Sequence, residues 1–302
     1  MRDFTELASD LAFPEGPVVM LDGDIILCEI ARGCLTRIAA DGRKSVVAQT
    51  GGGPNGLALG QDGGLYVCNN GGFSWGRNDA GLRPISKAAD YKTGSIQRVD
   101  AQTGKVDVLY ERCGDVGLSA PNDIVFDNFG GFYFTDHGHR DGRKLDFGAV
   151  YYAKADGSFI REVAFPLLGP NGIGLSPDGS TLYVAETSSG RLWSWGVDAP
   201  GQLRKASWPS PTTGDLVAGL PGFQRYDSLA VEASGNICIA TLRFGGVVVI
   251  APSGAQVERI DLPDPYTTNI CFGGADMRTA FVTLSASGRL VAMAWARPGL
   301  KL

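Results

Sequence analysis

The sequence predicts an all-β fold, a six-bladed β-propeller, from three observations. One pattern recurs six times: an oxygen-bearing side chain after a tight turn, an apolar segment, a Gly-centred turn and a second alternating strand. The copies are residues 13–28 (FPEGPVVMLDGDIILC), 53–70 (GPNGLALGQDGGLYVCNN), 120–138 (APNDIVFDNFGGFYFTDHG), 169–187 (GPNGIGLSPDGSTLYVAET), 226–241 (YDSLAVEASGNICIAT) and 267–284 (TTNICFGGADMRTAFVTL). Their polar residues are Glu15, Asn55, Asn122, Asn171, Asp227 and Asn269. These are 40, 67, 49, 56 and 42 residues apart, the period of four-stranded blades rather than of helical repeats. Glycine, at 43 of 302 residues, is about twice as frequent as usual, which suits a chain that turns every ten residues or so.

Taken in order, residues 5–11 are too short for a domain, and residues 4–7 are assigned to a strand that closes the last blade. Blade one runs through residues 17–21, 24–29, 34–39 and 45–48, with Asp22-Gly23 and Asp41-Gly42 as hairpin turns. Blade two begins at Gly53, but its third strand is delayed by an insertion at about residues 71–94. This Gly-rich, polar stretch carries Phe73, Trp75 and Tyr91. It either folds over one mouth as a lid or packs its aromatics as a surface hairpin. Residues 96–100 and 105–110 complete that blade. Blade three continues through residues 149–153. Blade four ends in a surface loop by composition, VDAPGQLRKASWPSPTTG. Blade five runs from Gly222 through GGVVVIAPSG, blade six covers residues 261–295, and residues 297–302 form a short tail. The whole chain, 1–302, is read as a single propeller domain.

The bulk numbers exclude several classes. A net charge of −5 and a pI near 5.1 argue against nucleic acid or anionic lipid as a partner. No stretch approaches the roughly 18 apolar residues of a membrane helix, and the acidic start MRDFTELASD lacks a signal-peptide core. The expected location is cytoplasmic, as a monomer or weak homo-oligomer. Six cysteines without close-spaced pairs read as buried reduced thiols: Cys28, Cys68, Cys238 and Cys271 in strands, Cys34 and Cys113 near turns.

In a propeller the matching positions of the innermost strands converge on the axis. That centre would collect the carboxylates of Glu15 and Asp227 and the amide oxygens of Asn122 and Asn171. Facing carboxylates away from water are unfavourable unless a cation lies between them. A donor set of oxygens without His or Cys selects a hard ion such as Ca²⁺, Mg²⁺ or Mn²⁺. Four protein ligands leave positions for water and a substrate oxygen, so such an ion can polarise a carbonyl and hold a water for attack. The competing reading is local, since Asn and Asp before turns also satisfy backbone N–H groups. Asp136 and His137 raise the same choice. The end of that second strand is expected at the opposite mouth or a blade flank, as a solvated turn capped by Asp136. Substrate contact by His137, or by the more remote His139, is the alternative.

FPEGPV around Glu15, APNDIVFDNFGGFYFTDHG around Asn122, PNGIGLSPDGSTLYVAET around Asn171 and YDSLAVEASGNICIAT around Asp227 together resemble the SMP-30/gluconolactonase/luciferin-regenerating-enzyme family of six-bladed propellers. The resemblance covers residues 11–290. It implies that Glu15, Asn171 and Asp227 hold one divalent cation, often Ca²⁺ or Zn²⁺, and that Asn122 completes the shell or holds substrate. It also implies hydrolysis of a sugar lactone or related cyclic ester, with Asp227 as general base for water. Asp227 acting as a ligand alone is the other option. One departure stands out: family members acting on sugar acids often have an Arg two residues before the Asn122 equivalent, and here that residue is Ala120. Arg243 or Arg77 is the expected substitute. With Phe73, Trp75 and Phe244 near loop tips, a more apolar lactone or ester fits equally well. The candidate substrate contacts are Asn122, Asn55, His137, Arg243 and Trp75. A phosphotriesterase-like hydrolase, a non-catalytic binding propeller and a strictosidine-synthase-like lyase remain the rival functions.

Overall fold

The computed structural model describes residues 3–301; Met1, Arg2 and Leu302, ends of the N-terminal segment and of the tail, lie outside the described residues. Six antiparallel sheets follow one another along the chain as the blades of a propeller. Their innermost strands are Pro14–Val19, Pro54–Leu59, Pro121–Phe126, Pro170–Leu175, Tyr226–Val231 and Thr267–Gly273. Each touches the next in sequence, and the last touches the first, so the ring is closed. The closure is completed at the rim. Thr5–Ala8 pairs antiparallel with Arg289–Ala294 and becomes the outer strand of blade six, as the sequence predicts.

Blades present two apolar faces, so their strands read as apolar runs rather than strict alternation. Gly246–Ile250, sequence GVVVI, is buried throughout. Six apolar clusters result, each shared by neighbouring blades. One joins blades three and four through Tyr133, Tyr152, Leu182, Trp193 and Trp195. Another crosses the seam between blades six and one through Ala8, Leu27, Ile38 and Leu290. At about 1.5–3 kcal/mol for each buried aliphatic or aromatic side chain, these interfaces are what hold the ring.

Two local devices position the axial residues. In blades two to five the innermost strand carries a bulge that sets two residues against one. Asn55-Gly56, Asn122-Asp123, Asn171-Gly172 and Asp227-Ser228 face Cys68, Thr135, Ala185 and Ala240. Such a bulge re-aims side chains, here toward the centre. In blades one to four, the residue opposite the leading proline carries a side-chain acceptor for the loop in front of it. Glu29 accepts from the Ala12 N–H at 2.6 Å, and Asn69 from Gly53 at 2.9 Å. Asp136 accepts from Ser119 and Ala120 at 2.7 and 2.6 Å, and Glu186 from Leu168 at 2.6 Å.

Several expectations shift. The inner strand of blade one starts at Pro14, not residue 17, because the Pro-Glu-Gly segment is itself paired through an irregular register. Residues 71–94 contain a two-stranded hairpin, Phe73–Asn78 with Gly81–Lys87. The loop expected after blade four begins as a hairpin instead, since Arg191–Ala199 runs on to pair with Gln202–Arg204. The tail is fastened: the Arg297 guanidinium donates to the buried Glu232 carboxylate at 2.7 Å, and the Leu300 N–H donates to the Val231 carbonyl. All six cysteines are free; Cys34 opens a strand directly after the turn that ends at Gly33, and Cys113 and Cys271 are half-buried rather than buried. Among the described residues no helix is long and apolar enough to cross a membrane.

Close approach of neighbouring inner strands demands glycine at Gly56, whose added Cβ would lie 2.4 Å from the Asn122 carbonyl oxygen. Gly56→Ala is expected to destabilise the protein by about 2–3 kcal/mol, whereas Gly117→Ala, where a Cβ meets nothing nearer than 3.8 Å, leaves stability nearly unchanged. Equilibrium urea unfolding of the two variants checks this.

Candidate functional site

All six repeat residues are buried: Glu15, Asn55, Asn122, Asn171, Asp227 and Asn269. Glu15 Oε2 accepts from its neighbour Gly16 N–H at 2.6 Å and from Asn269 Nδ2 at 2.7 Å, a bond that joins blade one to blade six. Asn171 donates through Nδ2 to Thr187 Oγ1 at 3.2 Å and accepts through Oδ1 from Ser228 Oγ at 3.4 Å. Asn122 Oδ1 is buried without a hydrogen-bond partner. An amide oxygen sealed from water and left unpaired is a standing loss unless something fills the space before it.

Asp123 joins this group, and the sequence reading missed it. Burial pushes its carboxyl up to about 8, and the Glu15 carboxylate adds to the shift. Glu15 itself is raised to about 7, chiefly by burial. Asp227 is raised well above the ordinary carboxylate range by burial and then by Glu15, with Asp123 contributing; the Asn171 amide opposes this. Three acids on blades one, three and five thus share one low-dielectric space. The signal lay in the repeat: the residue after the polar position is Gly in blades one, two and four but Asp in blade three.

Whether these residues fit a cation can be judged from the donors. Three carboxylates, the open Asn122 oxygen and the Asn171 oxygen make an all-oxygen set that suits a hard divalent ion. Among the described residues no group of three or more acidic, His or Cys side chains stands in an arrangement that could hold a metal ion by itself, so the fit rests on the chemistry of carboxylate and amide oxygens together.

The other candidates fall in three places. His137 follows the second strand of blade three, whose Asp136 pairs with Pro121, so it lies at the mouth that holds Asn122 and not at the opposite one. An antiparallel return strand ends where its partner began. Asp136 is a buried cap rather than a solvated turn, also taking the Gly138 N–H. Burial, with Arg225 nearby, lowers the His137 pKa and keeps the ring neutral at pH 7. His139 is lowered to about 4 by burial and Lys87, and its Nε2 has no partner.

Trp75 belongs to an arc of rings that spans the mouth. Centroids run Tyr266 to Phe13 at 5.9 Å, Phe13 to Trp75 at 5.1 Å, Trp75 to Phe73 at 6.0 Å, Phe73 to His139 at 6.1 Å and His139 to Tyr91 at 4.8 Å. The inserted hairpin therefore reaches from blade two across blade one. The Leu82 N–H at its tip donates to the Ala286 carbonyl of blade six at 2.9 Å, and Tyr91 OH donates to the Ser119 carbonyl at 2.7 Å. Phe244 does not line the mouth, because it packs under the Arg259 guanidinium of blade five's outermost strand. Arg77 is exposed near the hairpin tip. Arg243 is exposed and held at φ 76°. Its neighbour in space, Arg225, is half-buried two residues before Asp227, the position equivalent to Ala120 in blade three.

Fold and site together define a class: a six-bladed propeller whose axis gathers buried acids and amides at one roofed mouth. The chain belongs to the SMP-30/gluconolactonase/LRE-like family, whose region matches residues 13–286. It is 25% identical to the gluconolactonase of Zymomonas mobilis over 307 residues, covering 92% of this chain and 78% of that one. It is 28% identical to the lactonase drp35 of Staphylococcus saprophyticus over 253 residues, covering 82% and 69%. Among solved structures, a Xanthomonas campestris gluconolactonase superposes with a TM-score of 0.75 at 22% identity, over 96% of this chain and 89% of that one. A calcium-binding regucalcin of Agrobacterium tumefaciens superposes with a TM-score of 0.73 at 21% identity, over 99% and 98%. At these identities the superpositions establish the fold.

The raised carboxyls set a pH dependence. The unfolded chain releases its carboxyl protons near the ordinary values of 3.8 and 4.5, whereas the folded site keeps them until about pH 7–8. Protein stripped of divalent ions should therefore lose stability as pH rises from about 4 to 8. Melting temperatures across that range are expected to fall, to fall less in Asp123→Asn, and to be raised by added Ca²⁺ more at pH 8 than at pH 5.

Proposed function

We propose that the protein hydrolyses a lactone at this axial site with one divalent cation, Ca²⁺ in the first instance and Zn²⁺, Mn²⁺ or Mg²⁺ as alternatives. The observation that carries the reading is the meeting of Glu15, Asp123 and Asp227 in one buried space beside the unpartnered Asn122 oxygen. Relatives named gluconolactonase and lactonase support the ester class. Glu15, Asn122, Asn171 and Asp227 would hold the ion, with Asp123 adding charge. When bound, such an ion would return the acids to their ionised form and polarise the lactone carbonyl.

The chain's own groups supply the rest. Asp227 takes a proton from the attacking water as its oxygen bonds to the carbonyl carbon. It then returns that proton to the ring oxygen as the ring C–O bond breaks, leaving a hydroxy acid. Asn171 orients Asp227 and, through Ser228 and Thr187, is itself held in place. Neutral His137 donates through Nδ1 to the Gly138 carbonyl at 3.0 Å, which leaves Nε2 as an acceptor for a substrate hydroxyl. The hairpin of residues 73–87 acts as a roof whose Trp75 and Phe73 exclude water and stack on the apolar face of the ring.

The test is hydrolysis over sugar lactones, aliphatic lactones, aryl esters and aryl phosphotriesters. Chelation is expected to abolish activity on one lactone class and Ca²⁺ to restore it. Asp227→Ala should lower kcat by about 10²–10⁴ while the protein still melts cooperatively. Full lactonase activity in that folded variant, or activity indifferent to chelation, would refute the assignment. For the roof, Trp75→Ala is expected to raise KM several-fold with a smaller effect on kcat, read from the same steady-state assay.

A further inference from the structure

The mouth carries a group of cations that hydrolysis of a neutral lactone does not use. Arg225 precedes the innermost strand of blade five, and its carbonyl accepts from the Leu242 N–H at 2.9 Å, which sets Arg243 beside it. The Arg243 N–H is tied in turn to the Pro265 carbonyl. Arg225 is half-buried, and the charged and titratable groups that face it are Arg243 and Arg140, which repel it, Asp227, which attracts it when ionised, and the Tyr266 phenol. His137 faces it from blade three.

Arg225 is half-buried and yet lacks a counter-ion, a combination it shares among the described arginines with Arg83 of the inserted hairpin. Arg32, Arg98 and Arg297 each hold a carboxylate at 2.7 Å. Among the described residues no carboxylate oxygen lies within 4.0 Å of the Arg225 guanidinium. A guanidinium removed from water beside two like charges is unfavourable until an anion reaches it. Asp227 feels the Arg225 charge but forms no ion pair with it, and Glu15, Asn171 and Asp123 act on it more strongly. The planar fork of an arginine matches carboxylate and phosphate oxygens two at a time.

We propose that Arg225, flanked by Arg243, anchors an anionic substituent of the substrate, so that the lactone taken by this site bears a carboxylate or a phosphate. The proposal rests on the lactonase reading for the word lactone, but the anion site itself stands on the unpaired arginine. In sequence terms it replaces the arginine missing at Ala120 by one on blade five, entering the same mouth from another side.

The experiment compares D-glucono-1,5-lactone with its 6-phosphate and with D-glucaro-1,4-lactone on the full-length, Ca²⁺-loaded protein and on Arg225→Gln and Arg225→Lys. One acidic lactone is expected to exceed the neutral one in kcat/KM by at least about tenfold. In Arg225→Gln that ratio should collapse toward one, mainly through KM, and Arg225→Lys should restore part of it. The phosphate and carboxylate arms identify which anion is read. Equal kcat/KM for neutral and acidic lactones, or a ratio unchanged in Arg225→Gln, overturns the proposal. If no lactone is opened, calorimetric titration with 6-phosphogluconate and with glucarate decides separately. Binding that is lost in Arg225→Gln upholds the anion site while the lactonase reading falls. No binding to the wild type removes both.

Discussion

Glu15, Asp123 and Asp227 are forced into one buried space by three different blades, and their mutual repulsion governs how this molecule can be built and used. Left alone, the acids keep their protons at pH values where carboxyls are ordinarily ionised. A cation among them would return them to the charged form. The surroundings are made to resist relaxation. Bulges aim the side chains inward, glycines let adjacent backbones touch, and Thr135 and Thr187 hydroxyls tie one blade's strand to the next blade's carbonyl at 2.6 Å. A softer ring would let the acids part and the centre would dissolve.

Around this centre the mouth is divided by chemistry. The hairpin from blade two brings a wall of rings, from Tyr266 to Tyr91, while blades three and five bring His137, Arg140, Arg225 and Arg243. A cyclic ester has the same two-sided character, with a C–H face and a rim of oxygens. The wall is also why the histidines stay neutral: burial lowers His137, and His139 sits under Phe73 and Tyr91 with Lys87 nearby.

Much of this was legible in the chain, because a propeller writes its register into short local signals. The Pro-Glu-Gly of blade one and the Pro-Asn-Gly of blades two and four, each followed by an Asp-Gly turn, are local events, and six recurrences of the looser pattern mark the ring and its polar residues. What escaped depended on topology across the ring. Asp123 went unread because it sits one residue past the repeat position, where only the bulge makes two consecutive side chains matter. Arg225 is not marked by the repeat, because it comes beside Arg243 only through the bond from the Leu242 N–H to its carbonyl. His137 was sent to the wrong mouth by losing track of the direction of an antiparallel return. Phe13 and Tyr266 join the arc only because the insertion crosses the seam, and no pattern in residues 71–94 announces where its tip will land.

The bond between Glu15 and Asn269 spans 254 positions of chain. Together with the pairing of residues 5–8 to 289–294, it puts the site on the join between the first and the sixth blade. Five blades can stack as they are made, yet Glu15 waits for its partner until the sixth is in place. The axial site of such a molecule is a property of the finished circle, and a chain clipped before the sixth blade would leave it open on one side.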